Sequence, residues 1–86
     1  MDKIKRILMQ MKKNPQDIRF ADLCQVCQFY FGEPRQNRSS HKVYKTPWPG
    51  DPRINIQNDR GRAKAYQVKQ VLLAIDKLEN DHAIEK

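Results

Sequence analysis

The sequence predicts an α+β fold of two layers, in which helices cover one face of a small antiparallel sheet. Three observations lead there. Apolar residues recur at helical spacing near both ends of the chain. The middle third is β-branched, aromatic and alternating, and is broken by proline and glycine. The length, 86 residues, suits one small domain and is too short for two independent cores.

The first helix is expected over residues 2–13. Ile4, Ile7, Leu8 and Met11 follow the i, i+3, i+4, i+7 pattern, with Lys3, Lys5, Arg6, Lys12 and Lys13 largely around them. Asp2 can cap its start, and Asn14-Pro15 ends it, because a residue before proline is pushed out of the helical region. A helix lying on a membrane surface would want an aromatic anchor on its apolar side, and there is none. The second helix is expected over 19–31, on Phe20, Leu23, Cys24, Cys27 and Phe31, with Asp17 or Arg19 at its approach and Gly32 as the C′ residue.

The period then changes. Residues 35–38 are polar and short, the first of three expected strands. His41-Lys42-Val43-Tyr44-Lys45-Thr46 reads as a strand, and 47–52, with three prolines, as a turn. Arg53-Ile54-Asn55-Ile56-Gln57 alternates strictly, with Ile54 and Ile56 on one face. Residues 58–62 read as a loop. The third helix is expected over 66–78, on Val68, Val71, Leu72, Ile75 and Leu78, and residues 79–86 read as a frayed tail. Such a meander is polar on one face and needs its other face covered by the flanking helices.

Composition bounds the function. A large enzyme with its own cofactor domain does not fit this length. The longest apolar runs, 24–31 and 71–75, fall far short of the roughly 20 residues a membrane span needs. The N-terminus opens a charged amphipathic stretch without a signal-peptide core, and two cysteines without a secretory signal suit a reducing compartment. The expectation is a cytoplasmic protein with no membrane association. The net charge is +7, and residues 35–64 supply +6 of it. Residues 1–14 carry +4, 15–34 carry −2 and 65–86 carry −1. A basic block in the middle of the chain suggests a polyanionic partner.

Few residues are candidates for chemistry. Cys24-Gln25-Val26-Cys27 is a C-x-x-C, but it lies mid-helix on the apolar stripe, so it reads as two small buried core thiols. His82 lies in the charged tail and reads as solvated. Trp48, in the proline-rich turn, can stack on a base, anchor a protein interface or cover one end of the core. His41 opens a strand, after Arg38-Ser39-Ser40 and before Lys42. An imidazole titrates near neutrality, and RNA cleavage needs a base for the ribose 2′-hydroxyl, an acid for the leaving 5′-oxygen and cations for the phosphate. Lys42, Lys45 or Arg38 can supply that charge. No carboxylate cluster suited to magnesium is visible, so a metal-independent route is favoured. The face His41 uses has two readings. If Val43 is core, His41 points inward unless a bulge intervenes. If Tyr44 is core, His41 faces the open side, and this second reading is preferred.

The stretch Ser39-Ser40-His41-Lys42-Val43-Tyr44-Lys45-Thr46-Pro47 resembles the strand of the HicA family of toxins, in which a Gly-Ser-His-His-type segment runs into an apolar–aromatic strand. Ile54-Asn55-Ile56-Gln57, the basic loop after it and Lys64-Ala65-Tyr66-Gln67-Val68-Lys69-Gln70-Val71-Leu72 are similar to the family's next strand, loop and helix start. Phe20-Ala21-Asp22-Leu23 resembles the start of its first core helix. The likeness covers roughly residues 17–78. It implies a double-stranded-RNA-binding-like fold, with one helix on either side of a three-stranded sheet in chain order, in a domain over 15–80. An N-terminal helical extension would cover 1–14 and a tail 81–86. It implies a toxin that cleaves messenger RNA with a histidine and no metal or small-molecule cofactor, held inactive by a HicB-like antitoxin. His41 is then the catalytic candidate, and Arg38, Ser40, Lys42, Lys45, Arg60, Arg62 and Lys64 are the RNA-contacting ones. Two departures stand out: Ser39 replaces the family's glycine, and Lys42 replaces the second histidine of the pair. Two other functions fit the same residues: a module that binds structured RNA without chemistry, and a basic face that holds an acidic protein.

Overall fold

The computed structural model describes residues 2–38, 41–48 and 53–84, with side chains over 3–35, 41–48 and 53–80. Three helices flank and cover an antiparallel sheet. In chain order the elements are α1 (Asp2–Lys13), α2 (Phe20–Phe31), β1 (Gln36–Arg38), β2 (His41–Lys45), β3 (Arg53–Asp59), β4 (Arg62–Ala63) and α3 (Ala65–Ile84). The sheet order is β1-β2-β3-β4, so each strand pairs with its neighbour in sequence.

α1 forms where the apolar stripe predicts it. Lys12 and Lys13 sit in its last turn, where cations complement the helix dipole. The chain leaves it at Asn14, whose N–H donates to the Gln10 carbonyl. α2 starts without a side-chain cap at Arg19. Its first N–H, from Phe20, instead donates to the Gly61 carbonyl at 3.0 Å, and the Ala63 N–H donates to the Ile18 carbonyl at 2.8 Å. The start of α2 is thus stitched to the β3–β4 connection, which meets the demand of the exposed helix N–H groups. Gly32 follows α2 at φ +84°, a left-handed conformation that costs glycine little.

The core lies between the sheet and the helices. Leu23, Val26 and Cys27 of α2, Tyr44 of β2, Ile56 of β3, and Val68, Val71 and Ile75 of α3 are buried in one cluster. Ile7 and Met11 of α1 belong to that same cluster, and Met11 is completely buried. α1 packs on α2 and α3, a third layer on the side away from the sheet. The N-terminal helix therefore shares the core of the domain and is not a separate appendage.

Two expectations are corrected. Residues 58–62 are not a loop: 58–59 end β3, and 62–63 form β4, a fourth strand beyond the three expected. The link is the two-residue turn Arg60-Gly61, with φ +57° and +86°. Positive φ at both central positions is the type I′ pattern that matches the twist of a hairpin. Residues 79–84 are not a frayed tail: α3 continues through them to Ile84. Polar residues at helical spacing extend a helix that its apolar half has already anchored, and Asn80 Nδ2 donates to Asp76 Oδ2, one turn earlier. Residues 49–52 of the expected turn lie outside the described residues, as does the side chain of Asp2, the expected cap of α1.

Because Met11 is part of the common core, Met11→Ala should lower the unfolding free energy by about 2–5 kcal/mol, as for a core position anywhere in the sheet–helix interface. Urea titration followed by far-ultraviolet circular dichroism measures this. An unchanged midpoint would show that α1 is energetically separate.

Candidate nucleic-acid interface

Strand register sorts the candidate residues onto two faces. His41 pairs with Gln57, Val43 with Asn55 and Lys45 with Arg53. Directly paired residues point to the same face. These six therefore share the face away from the helices. Lys42 pairs with Ile56, and Tyr44 with Ile54, on the helix-facing side. Tyr44 and Ile56 lie in the core, which selects the second of the two sequence readings: His41 faces the open side. Val43 is buried as well, on the open face between Gln36 of β1 and Asn55 of β3.

His41 is half-buried and lines an open depression of about 310 Å³ with Gln57, Asn58, Asp59 and Lys64. A second depression, of about 760 Å³, adjoins it through Asp59 and Lys64 and is lined further by Arg60, Arg62 and Tyr66. The hairpin thus joins His41 to the basic residues that follow it in sequence. Arg60 occupies the left-handed position of the turn, where Asn, Asp or Gly is preferred and another residue costs about 1 kcal/mol. Arg62 Nη1 pairs with Asp17 Oδ1, with both side chains about 60% exposed, so this cation also braces the approach to α2. In so exposed a setting the pair contributes little to stability.

The other candidates lie apart. Lys42 is on the opposite face of the sheet from His41, beside Cys24, where its charge opposes the upward push that burial gives the Cys24 thiol. Lys45 is at the far end of β2, roughly 13 Å from His41 at strand spacing. There it lines another depression with Phe29, Phe31 and Leu78. Its register partner is Arg53, so two cations stand opposite each other on the open face. Ser40 and the side chains of Arg38 and His82 lie outside the described residues; the Arg38 backbone pairs with His41 across β1 and β2.

Sequence reasoning missed Gln67. It is buried, and its Oε1 accepts the Gln57 N–H at 2.8 Å. β4 ends at Ala63, paired with Asn58, so the next β3 N–H in line, that of Gln57, has no strand partner on this side. The first turn of α3 supplies the missing acceptor from a side chain. A buried N–H left unmet would cost about 1–3 kcal/mol. Gln57 is also the register partner of His41, so Gln67 holds the backbone against which His41 is set. A glutamine at an inward position of α3 was the only signal in the sequence.

Trp48 is half-buried, and the Lys77 ammonium lies 4.6 Å from its ring centroid. The ring thus makes a cation–π contact with α3. Cys24 and Cys27 are free thiols within α2, and Cys27 is fully buried. Burial pushes both thiols up, that of Cys27 strongly, which keeps them protonated and slow as nucleophiles. No group of three metal-ligating side chains comes together among the described residues.

The open face therefore joins an imidazole, two amides, a carboxylate and an ammonium in one open depression, next to a hairpin that carries two arginines. It can accept and return a proton at His41 and neutralise an anion at Lys64. No family model, curated protein or solved structure matches this chain. No helix among the described residues is long and apolar enough to cross a membrane.

Replacing Gln67 with leucine should lower stability by about 1–3 kcal/mol and speed hydrogen exchange at the Gln57 amide ahead of its β3 neighbours. Exchange followed by NMR reads both effects. Cys27 should resist iodoacetamide in the native protein at neutral pH and react once urea unfolds it, since burial raises its thiol pKa.

Proposed function

We propose that this protein is a HicA-like toxin, an endoribonuclease that cleaves messenger RNA and is neutralised by a HicB-like antitoxin. The observation that carries the reading is His41 on the open face of the sheet, in one depression with Lys64 and continuous with the Arg60–Arg62 hairpin. The run α2-β1-β2-β3, closed by α3, with both helices on one face, supports a double-stranded-RNA-binding-like fold. In this reading the open face receives the RNA backbone, Lys45 and Arg53 hold a phosphate at one end of β2, and Arg60, Arg62 and Lys64 hold others beyond its opposite end.

The chemistry follows from the groups present. The ribose 2′-oxygen attacks the adjacent phosphorus, and the 5′-oxygen leaves. The products are a 2′,3′-cyclic phosphate and a 5′-hydroxyl end. His41 serves as general acid–base in the proton transfers to and from these oxygens, and Lys64 offsets the charge that builds on the phosphate. No step requires a metal or a small-molecule cofactor. Lys42, in place of the family's second histidine, lies on the helix-facing side, so the replacement leaves the open face untouched. A second reading, an RNA-binding module without catalysis, is favoured by one observation: among the described residues the depression holds a single imidazole, with Asp59 its only carboxylate.

Incubating labelled messenger RNA with the purified protein in EDTA separates the two readings. Cleavage that His41→Ala reduces at least 100-fold, with RNA affinity and circular dichroism unchanged, supports the enzyme. RNA that stays intact with the unmutated protein, yet is bound with a steep salt dependence, establishes the binding module instead.

A further inference from the structure

The outer side of the helical layer carries a second surface, unrelated to the open face of the sheet. α1 and α3 lie side by side, and a groove of about 540 Å³ runs between them. Leu8 and Leu72 form its floor, half-buried, and Leu73 stands at its margin, 70% exposed. Its charged lining is Lys12 and Lys69 against Asp76 and Glu79, so the strip is electrically balanced in a chain of net charge +7. Across the basic block of residues 35–64 like charge drives two copies apart; here they can approach.

The spacing along α3 goes further. Lys69 and Asp76 are seven residues apart, two turns on one helix face, and Leu72 and Leu73 occupy the midpoint between them. A two-fold axis passing through that midpoint sends the Lys69 of each copy onto the Asp76 of the other and sets the leucines against their own symmetry mates. An isologous contact of this kind is self-complementary. It also sets the two α3 helices antiparallel, the favourable arrangement for their dipoles.

We propose that two copies of this chain dock antiparallel across their α1–α3 grooves, with Leu72 and Leu73 at the centre and reciprocal Lys69–Asp76 pairs on either side. α1 and α3 lie on the helical side of the sheet, so both open faces stay accessible in the dimer. The proposal does not depend on the ribonuclease reading, and its tests do not touch His41.

Sedimentation equilibrium of the full chain over roughly 10 μM to 1 mM tests it, the range suited to a small interface. The expected result is a monomer–dimer equilibrium that Leu73→Asp abolishes. Leu73 is exposed, so this variant should keep its circular dichroism spectrum and thermal midpoint. Lys69→Glu or Asp76→Lys alone should weaken the dimer about tenfold or more, by setting like charges together. The double variant K69E/D76K should return to within about threefold of the unmutated chain. A chain that stays monomeric throughout overturns the proposal and leaves the groove to a different protein. A dimer insensitive to Leu73→Asp overturns it, as does a double variant no better than the singles.

Discussion

Burying one face of the sheet against α2 and α3 is the constraint on which the rest of this molecule depends. Tyr44 and Ile56 point into the helices and are almost completely excluded from water. Side chains alternate along a strand, so that single choice sends His41, Lys45, Arg53 and Gln57 to the other face. A slip of one residue between β2 and the core would bury the imidazole and expose Tyr44. The position of the candidate acid–base group is therefore set by the hydrophobic effect at residues that take no part in its chemistry.

The hairpin is held by polar groups as well as by the burial of Ala63. β4 is only two residues long and cannot fix its own position. Three hydrogen bonds at its ends do that work: Phe20 N–H to the Gly61 carbonyl, Ala63 N–H to the Ile18 carbonyl, and Gln57 N–H to Gln67 Oε1. Two of them tie the turn to the start of α2, and the third ties β3 to the first turn of α3. The basic residues Arg60, Arg62 and Lys64 thus project from a segment braced by both helices. Arg60 in a left-handed position fits a site where local backbone energy is given up to place a cation at a turn.

α1 closes the helical layer from outside. Met11 reaches the same cluster as Leu23 and Val71, which enlarges a core that a domain of this size needs. Its docking also shapes the outer groove. The two sides of the molecule then differ in character. The open sheet face is polar, cationic and suited to an anionic chain, whereas the groove is apolar along its floor and balanced in charge.

Composition alone placed the positive charge in residues 35–64, and periodicity alone determined the α+β class, the placement of α1 and α2 and the alternation of β3. These are local properties: the elements follow from which residues recur at a period of 3.6 or 2, and the charge from which residues stand in one segment. The tertiary structure decided the rest. β4 exists because β3 and the segment leading into α2 offer it hydrogen-bonding partners, and no pattern in two residues could announce it. α3 runs on to Ile84 because its buried first half anchors a polar second half. The open face of β2 was a choice between Val43 and Tyr44 that alternation leaves symmetric, and only the helices packed on one side break that symmetry. The grouping of His41 with Asp59 and Lys64, and the separation of Lys42 and Lys45 from them, arises from strand pairing between residues distant in the chain.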